Sequence, residues 1–367
     1  MIARRIQSLS AAPLLLALLC VFISGALAPA AGRAAQAPEQ WLERMNEALV
    51  ERNYRGEFSY YSDGDLSSLR LIHAVIDGVQ NERLVHLNGQ AREILRTGDV
   101  VHCVYEHGDE IAGLGDSIPS GPFARSFSSG ASALSDAYRA EVLGAGRVAG
   151  RAARRIDVVP TDGSRYGYRL WLDEATGMLL RSELLDPDGA LLEIFQFVSI
   201  EMDARIEPEE LQAADAEDRV WKRLAFGDER AARSSSAEIG TEIGSEAGLR
   251  DGAGASSPVS GGRWQVGWRP PGFTLTTADL RHLPSGNRSV RTLRYTDGMA
   301  NFSVFVERTW SDGSWQQQLR RGATTAVMRE LQLPGGERYL VTVVGEVPMV
   351  TAERIAQSVE LAGAGAG

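Results

Sequence analysis

Four turn pairs, Asp63-Gly64, Asp77-Gly78, Asn88-Gly89 and Gly98-Asp99, cut the chain at short, nearly even spacing. No other feature restricts the fold as tightly. Asn-Gly and Asp-Gly supply the positive φ that a tight hairpin demands, and the runs between them suit short strands. They predict an antiparallel meander. The rhythm returns where Asp162-Gly163, Thr176-Gly177 and Pro187-Asp188-Gly189 separate apolar runs over 166–172, 178–185 and 191–200. It returns again near the C-terminus, with strands expected at 274–283, 290–296, 302–309, 323–331 and 339–344, and turns at Asp297-Gly298 and Pro334-Gly335-Gly336. Two helices frame the strands. Pro38 suits a first helical position, followed by Trp41, Leu42, Met45, Ala48 and Leu49 at helical spacing. Thr351 is read as the N-cap of a closing helix whose Ile355, Ala356 and Val359 share one face. The fold class is α+β and mostly antiparallel.

The first 35 residues have another character. Arg4 and Arg5 form a positive start, residues 14–23 are almost entirely apolar, and the small residues Gly25, Ala26, Ala28, Ala30 and Ala31 follow. That order marks a cleaved secretory signal, and the apolar run falls short of the roughly 20 residues a spanning helix needs. Cleavage is expected between Ala28 and Ala35. Leu19 before Cys20 is too bulky for a lipoprotein acceptor site, and the residues flanking Arg4-Arg5 depart from the twin-arginine pattern. Cleavage removes Arg4, Arg5 and Arg33 and no acids, so the formal charge of −10 becomes −13. So acidic a chain lacks the basic stripe that nucleic-acid binding requires. Cys20 leaves with the signal, and Cys103 has no partner for an intrachain disulfide. Cohesion rests on the apolar 44% of the chain. The mature chain is expected to be soluble, in an oxidising envelope compartment.

Composition divides the remainder. Residues 36–218 and 263–362 are read as two domains, and 219–262, rich in Ala, Ser, Gly and Glu, as a flexible linker. In the first domain Leu69, Leu71 and Val75 alternate with Ile72, Ala74 and Ile76, so both faces of one strand are apolar in places. A curved sheet with helices on one side and an apolar hollow on the other accounts for this, and so does a two-sided core. Residues 108–137, with Gly113, Gly115, Pro119 and Pro122, form a cover over such a hollow or a disordered stretch.

Catalytic chemistry finds little support. His102, Cys103, Glu106 and His107 have the residue types of a zinc site, but on a strand they point to opposite faces. No Gly-x-Ser-x-Gly elbow occurs, and Gly113-x-Gly115 lacks the strand–helix frame of a dinucleotide site. Glu209-Glu210 lies in a charged, solvated run, and His73, His86, His102, His107 and His282 are dispersed. No enzyme activity, metal or cofactor is predicted.

A set of ordered stretches carries a resemblance: Tyr54-Arg-Gly-Glu-Phe58, Leu71-Ile-His-Ala74, Glu82-Arg-Leu84 with Leu87-Asn-Gly89, Arg147-Val-Ala-Gly-Arg151, Arg165-Tyr-Gly-Tyr-Arg-Leu-Trp-Leu-Asp173, Gly177-Met-Leu-Leu-Arg181, Trp268-Arg-Pro-Pro-Gly-Phe273, Asp297-Gly-Met299, Ser303-Val-Phe-Val306 and Val341-Thr-Val-Val-Gly-Glu-Val-Pro348. Over almost the whole mature chain apart from the linker, the sequence resembles the RseB/MucB family of periplasmic negative regulators of the sigma-E stress response. The resemblance implies a large N-terminal antiparallel half-barrel with helices, of the LolA/LolB type, plus a small C-terminal antiparallel sheet with a helix. It implies a protein free in the periplasm that binds the periplasmic part of a membrane-spanning anti-sigma factor (RseA/MucA type) and shields it from site-1 proteolysis. Lipid-bearing signals, lipopolysaccharide or lipoprotein, would release it, and self-association into a homo-oligomer is a family tendency. On that basis Phe58, Tyr60, Leu71, Leu84, Tyr168, Leu170 and Phe195 are candidates to line a lipid pocket, with ordinary core as the alternative. Arg83, Arg165, Arg169 and Trp171 are candidates for partner contact. The competing reading is a lipoprotein or lipid carrier of the LolA/LolB type, against which the additional C-terminal domain argues.

Overall fold

The computed structural model describes residues 36–98, 100–106, 136–213, 219–224, 264–282, 289–309 and 316–362. The expected export signal, most of the 108–137 stretch and residues 225–263 lie outside the described residues. No helix among the described residues is long and apolar enough to cross a membrane.

The architecture is α+β, with one large and one small antiparallel sheet. Helix α1 (Pro38–Glu51) opens it. Ten strands follow: β1 (Tyr54–Ser62), β2 (Asp65–Ile76), β3 (Val79–His86), β4 (Arg92–Thr97), β5 (Val100–Glu106), β6 (Tyr138–Val148), β7 (Arg151–Pro160), β8 (Gly167–Asp173), β9 (Leu179–Leu185) and β10 (Leu191–Met202). A 3-10 turn (Pro208–Leu211) and β11 (Arg219–Leu224) come next. The spatial order is β11-β5-β4-β3-β2-β1-β10-β9-β8-β7-β6. Two meanders are thus joined where β1 pairs with β10, and the end strands β11 and β6 do not pair with each other.

The second sheet contains β13 (Thr274–His282), β14 (Ser289–Thr296), β15 (Asn301–Arg308), β16 (Gln316–Arg321), β17 (Thr324–Gln332) and β18 (Arg338–Gly345), in the order β13-β14-β15-β18-β17-β16. Helix α2 (Met349–Gln357) packs on β17 and β18. The short β12 (Trp264–Val266) pairs with β19 (Val359–Leu361), tying the start of this lobe to its end.

Helix α1 buries the five residues its spacing predicts, Trp41, Leu42, Met45, Ala48 and Leu49. Arg44 fixes its docking. The guanidinium donates to the carbonyls of Glu174 (3.2 Å) and Ala175 (3.0 Å) and lies over the Trp41 ring. The turn it grips is held by Asp173, whose carboxyl accepts the N–H groups of Ala175 and Thr176 and pairs with Arg151. Burial alone would raise the Asp173 pKa. The Arg151 bond and the two backbone donors outweigh it, and the carboxyl stays below its ordinary value. Gly56 in β1 has a steric reason: a Cβ there would come within 2.5 Å of the Ser199 carbonyl and 2.8 Å of the Phe197 ring.

Three local expectations are corrected. Arg219–Leu224, read as the start of the linker, is a strand paired with β5. Thr351 lies inside α2, whose N-cap is Pro348, and its hydroxyl donates to the Ser164 carbonyl. Val359 is buried but belongs to β19. The dry outer face of β2 also finds its explanation. Ile72 and Ala74 are buried there because the 3-10 turn packs against β2 and β3.

Candidate functional site

The large sheet has two unlike faces. One carries the main core, built from α1 and from inward residues of β1, β2 and β6–β10. All seven lipid-pocket candidates belong to this cluster. Phe58, Leu71, Tyr168, Leu170 and Phe195 are buried in it, and Tyr60 and Leu84 pack partly buried against it. Phe58 meets Phe195 with ring centroids 4.7 Å apart, and Phe195 meets Phe197 edge-on at 5.1 Å. In the form described these side chains contact one another.

Towards β5 the same face becomes polar. Tyr54, His73, Glu82 and Arg96 form one rung across β1–β4. Tyr54 and His73 stack at 4.8 Å, and His73 Nδ1–H donates to the Arg52 carbonyl at 2.8 Å. Burial holds the His73 pKa below its ordinary value, so the ring is neutral and Nε2 is left as an acceptor. Cys103 is buried beside Val101, Ile94 and Tyr105 in a small apolar cluster. Among the described residues no three His, Cys, Asp or Glu side chains converge to hold a metal. His107 lies outside them.

The opposite face is a ladder of charges around one tryptophan. Trp171 projects from β8 with Arg155 of β7 and Arg181 of β9 as its cross-strand neighbours. Both guanidinium carbons lie near the indole, at 5.6 and 4.7 Å from its centroid. Asp157 accepts two bonds from Arg155, and Glu183 pairs with both Arg169 (3.2 Å) and Arg181. Arg169 and Trp171 therefore share one partly exposed face. Arg83 lies apart on β3, binding Glu93 at 2.9 Å and the Glu210 carbonyl at 3.1 Å.

Arg165, a partner-contact candidate taken as able to lie exposed, does not belong with them: the structure buries it. Its side chain is 0% exposed and lies between the two lobes. Nε donates to Asp297 at 2.6 Å, and the remaining donors meet Asp162 and the Pro271 carbonyl. Tyr138 adds a bond to the same Asp297 carboxyl, and the Tyr166 hydroxyl donates to the Val347 carbonyl at 3.0 Å. Asp297 is legible in the sequence only as a turn residue. Its side-chain partners Tyr138 and Arg165 lie more than a hundred positions away, so no local pattern marks them.

Comparison with known proteins places this geometry. The family model described as the MucB/RseB N-terminal domain matches residues 37–215, and the MucB/RseB C-terminal domain matches 259–360. The sigma factor AlgU regulatory protein MucB of Pseudomonas aeruginosa is 33% identical over 344 residues, covering 93% of this chain and 96% of that protein. The chain belongs to the MucB/RseB family. A second MucB/RseB relative, the sigma-E factor regulatory protein RseB of Escherichia coli K12, is 29% identical over 88% of this chain and 90% of its own length. Among solved structures, MucB in complex with the periplasmic part of MucA superposes with a TM-score of 0.65 at 32% identity, over 89% of this chain and 99% of that one. MucB alone gives 0.58 at 31% identity, over 88% and 98%. MucB/RseB proteins are sigma-factor regulators, not enzymes.

Proposed function

We propose that this chain is a periplasmic regulator that binds the periplasmic segment of a membrane-spanning anti-sigma factor and shields it from site-1 proteolysis. The observation that carries this reading is the match to MucB bound to MucA, which spans nearly all of that chain and both lobes of this one. Trp171 and Arg169 are the residues we assign to partner contact. A large aromatic flanked by arginines on a polar face has the make-up of an interface anchor.

Release by a lipid-bearing signal completes the proposal. The aromatic cluster around Phe58 and Phe195 is the apolar volume available to an acyl chain, which enters only if these side chains part. Linkage sets the requirement: lipid must bind the partner-free form better than the bound form, or it shifts nothing.

The test is a pull-down of mature protein with the anti-sigma factor's periplasmic segment, followed by digestion of the segment with the envelope protease. Binding and protection are expected, and Trp171→Ala should weaken binding on the order of tenfold. A segment that neither binds nor resists cleavage sinks the reading. Added lipopolysaccharide or lipoprotein should restore cleavage.

A further inference from the structure

The small sheet ends on an open edge. Its last strand, β16, pairs with β17 on one side, and no described strand pairs with it on the other. Every residue of β16, Gln316 to Arg321, is exposed. Sheet edges are usually blunted by a proline, a lysine or a bulge. β16 has none of these: it reads Gln-Gln-Gln-Leu-Arg-Arg, and its register with β17 holds without a shift. The opposite edge strand of the same sheet, β13, is interrupted by a bulge between Leu275 and Thr277. The open edge is also held still. Beyond Arg321 the chain turns at Gly322, where a Cβ would collide with Ser62 Oγ and Glu193 Oε1 of the large lobe. The Ala323 N–H donates to the same Glu193 oxygen at 2.7 Å.

Apolar and cationic side chains flank this edge. Val350 and Leu319, 75% and 67% exposed, are the most exposed large hydrophobic residues among those described. Leu319 lies on one face of β16, opposite Ala326. Gln318 lies on the other, opposite the buried Val327, and its amide donates to Glu353 of α2. Val350 sits one helical turn before Glu353, so it borders the edge from the helix side. Arg320 and Arg321 point to opposite faces of the strand. Neither makes a hydrogen bond or ion pair among the described residues, in a chain of formal charge −10.

We propose that the free edge of β16 docks an extended acidic peptide of another protein, which adds a strand to the small sheet. This goes beyond the contact assigned to Trp171 and stands without it.

The chemistry of the occupant follows from the edge. The backbone groups that β17 leaves unpaired offer a ladder only to an extended segment. Side chains alternate along a strand, so a peptide reading Glu-Glu-Val-Val presents one acid and one apolar residue on each face. Laid antiparallel to β16, its acids meet Arg321 and Arg320, and its valines cover Leu319 and the Val350 side of Gln318. A second copy of this chain is a poorer occupant. Antiparallel pairing of two β16 strands about their centre sets Gln316 against Arg321 and Gln317 against Arg320, which leaves the guanidinium charges uncompensated.

The test uses the mature full chain and an end-blocked, fluorophore-tagged peptide containing Thr-Glu-Glu-Val-Val-Thr, followed by anisotropy at low salt. Saturable binding is expected, with slowed amide exchange confined to β16. Arg320→Glu combined with Arg321→Glu, both on the exposed edge, should weaken binding about tenfold. The same variant should bind a peptide with lysines in place of the glutamates. A peptide N-methylated throughout keeps every side chain and loses its ladder donors, and it should not bind. Absent binding of the parent peptide, equal binding of the N-methylated one, or indifference to the charge reversal overturns the docking site. A dimer in sedimentation that the charge reversal dissolves would give the edge to a second copy, and overturns it too.

Discussion

Arg165 and Asp297 are both withdrawn from water, each side chain 0% exposed. Removing one member of such a pair leaves the other charged and unsolvated. Asp297→Ala should therefore cost about 3–5 kcal/mol, read from the urea midpoint at constant m. Arg165→Met combined with Asp297→Leu should recover much of that loss, because the pair's desolvation cost goes with it. A small effect of the single change would mean that water reaches the site. His86 behaves differently. Burial, and then the Arg92 charge, lower its pKa to about 4 from 6.5, so the folded form resists protonation. Stability should decline as pH falls from 6.5 towards 4, and His86→Gln should flatten that part of the profile in thermal melts. None of this was legible in the sequence. Arg165 was marked only by the family-like stretch it opens, and Asp297 stands 132 positions away.

Elements were more legible than contacts. Helix α1 appeared with its buried face intact because periodicity and an N-terminal proline are local signals. The strands bounded by Asp-Gly and Thr-Gly turns were placed within a residue or two for the same reason. Strand β16 was missed: Gln316-Gln-Gln-Leu-Arg-Arg321 alternates nothing, is exposed along its whole length, and exists because β17 offers it a ladder. Strand β11 was taken for linker because its ladder partner, β5, lies far back in the chain. The β1–β10 seam provides a sharp test. Gly56→Ala drives a methyl into the Ser199 carbonyl and the Phe197 ring, both fixed in the sheet. It should destabilise by about 1–3 kcal/mol, measured by chemical denaturation. Gly335→Ala, where a Cβ meets open space, is the control and should be near neutral.

For the whole molecule, the two lobes share Met299 and Ala323 with the core of the large sheet, as well as the Arg165 cluster. Calorimetry in mildly acidic buffer should therefore show one cooperative transition for wild type. Asp297→Ala should split it in two, and an already split wild-type trace would deny the coupling. The whole-molecule reading drew on the order of many individually weak stretches, such as Trp268-Arg-Pro-Pro-Gly-Phe273 and Arg165-Tyr-Gly-Tyr168, where composition and periodicity alone gave only an α+β chain. Those stretches gave the family without revealing that one of their arginines is an internal joint.

The pairing of β1 with β10 also governs how the sheet can be assembled in time. Arg55 waits for Glu201, 146 residues downstream, while β2 lies one tight turn away. Hairpins of the first meander can form early, but the central seam cannot close until β10 has been delivered. Loop closure over such a separation is slow, and folding rates fall as contacts become less local. A chain that completes its sheet this late stays threadable while it is being made, and refolding in vitro should run in two phases, with hairpins first and the β1–β10 seam last.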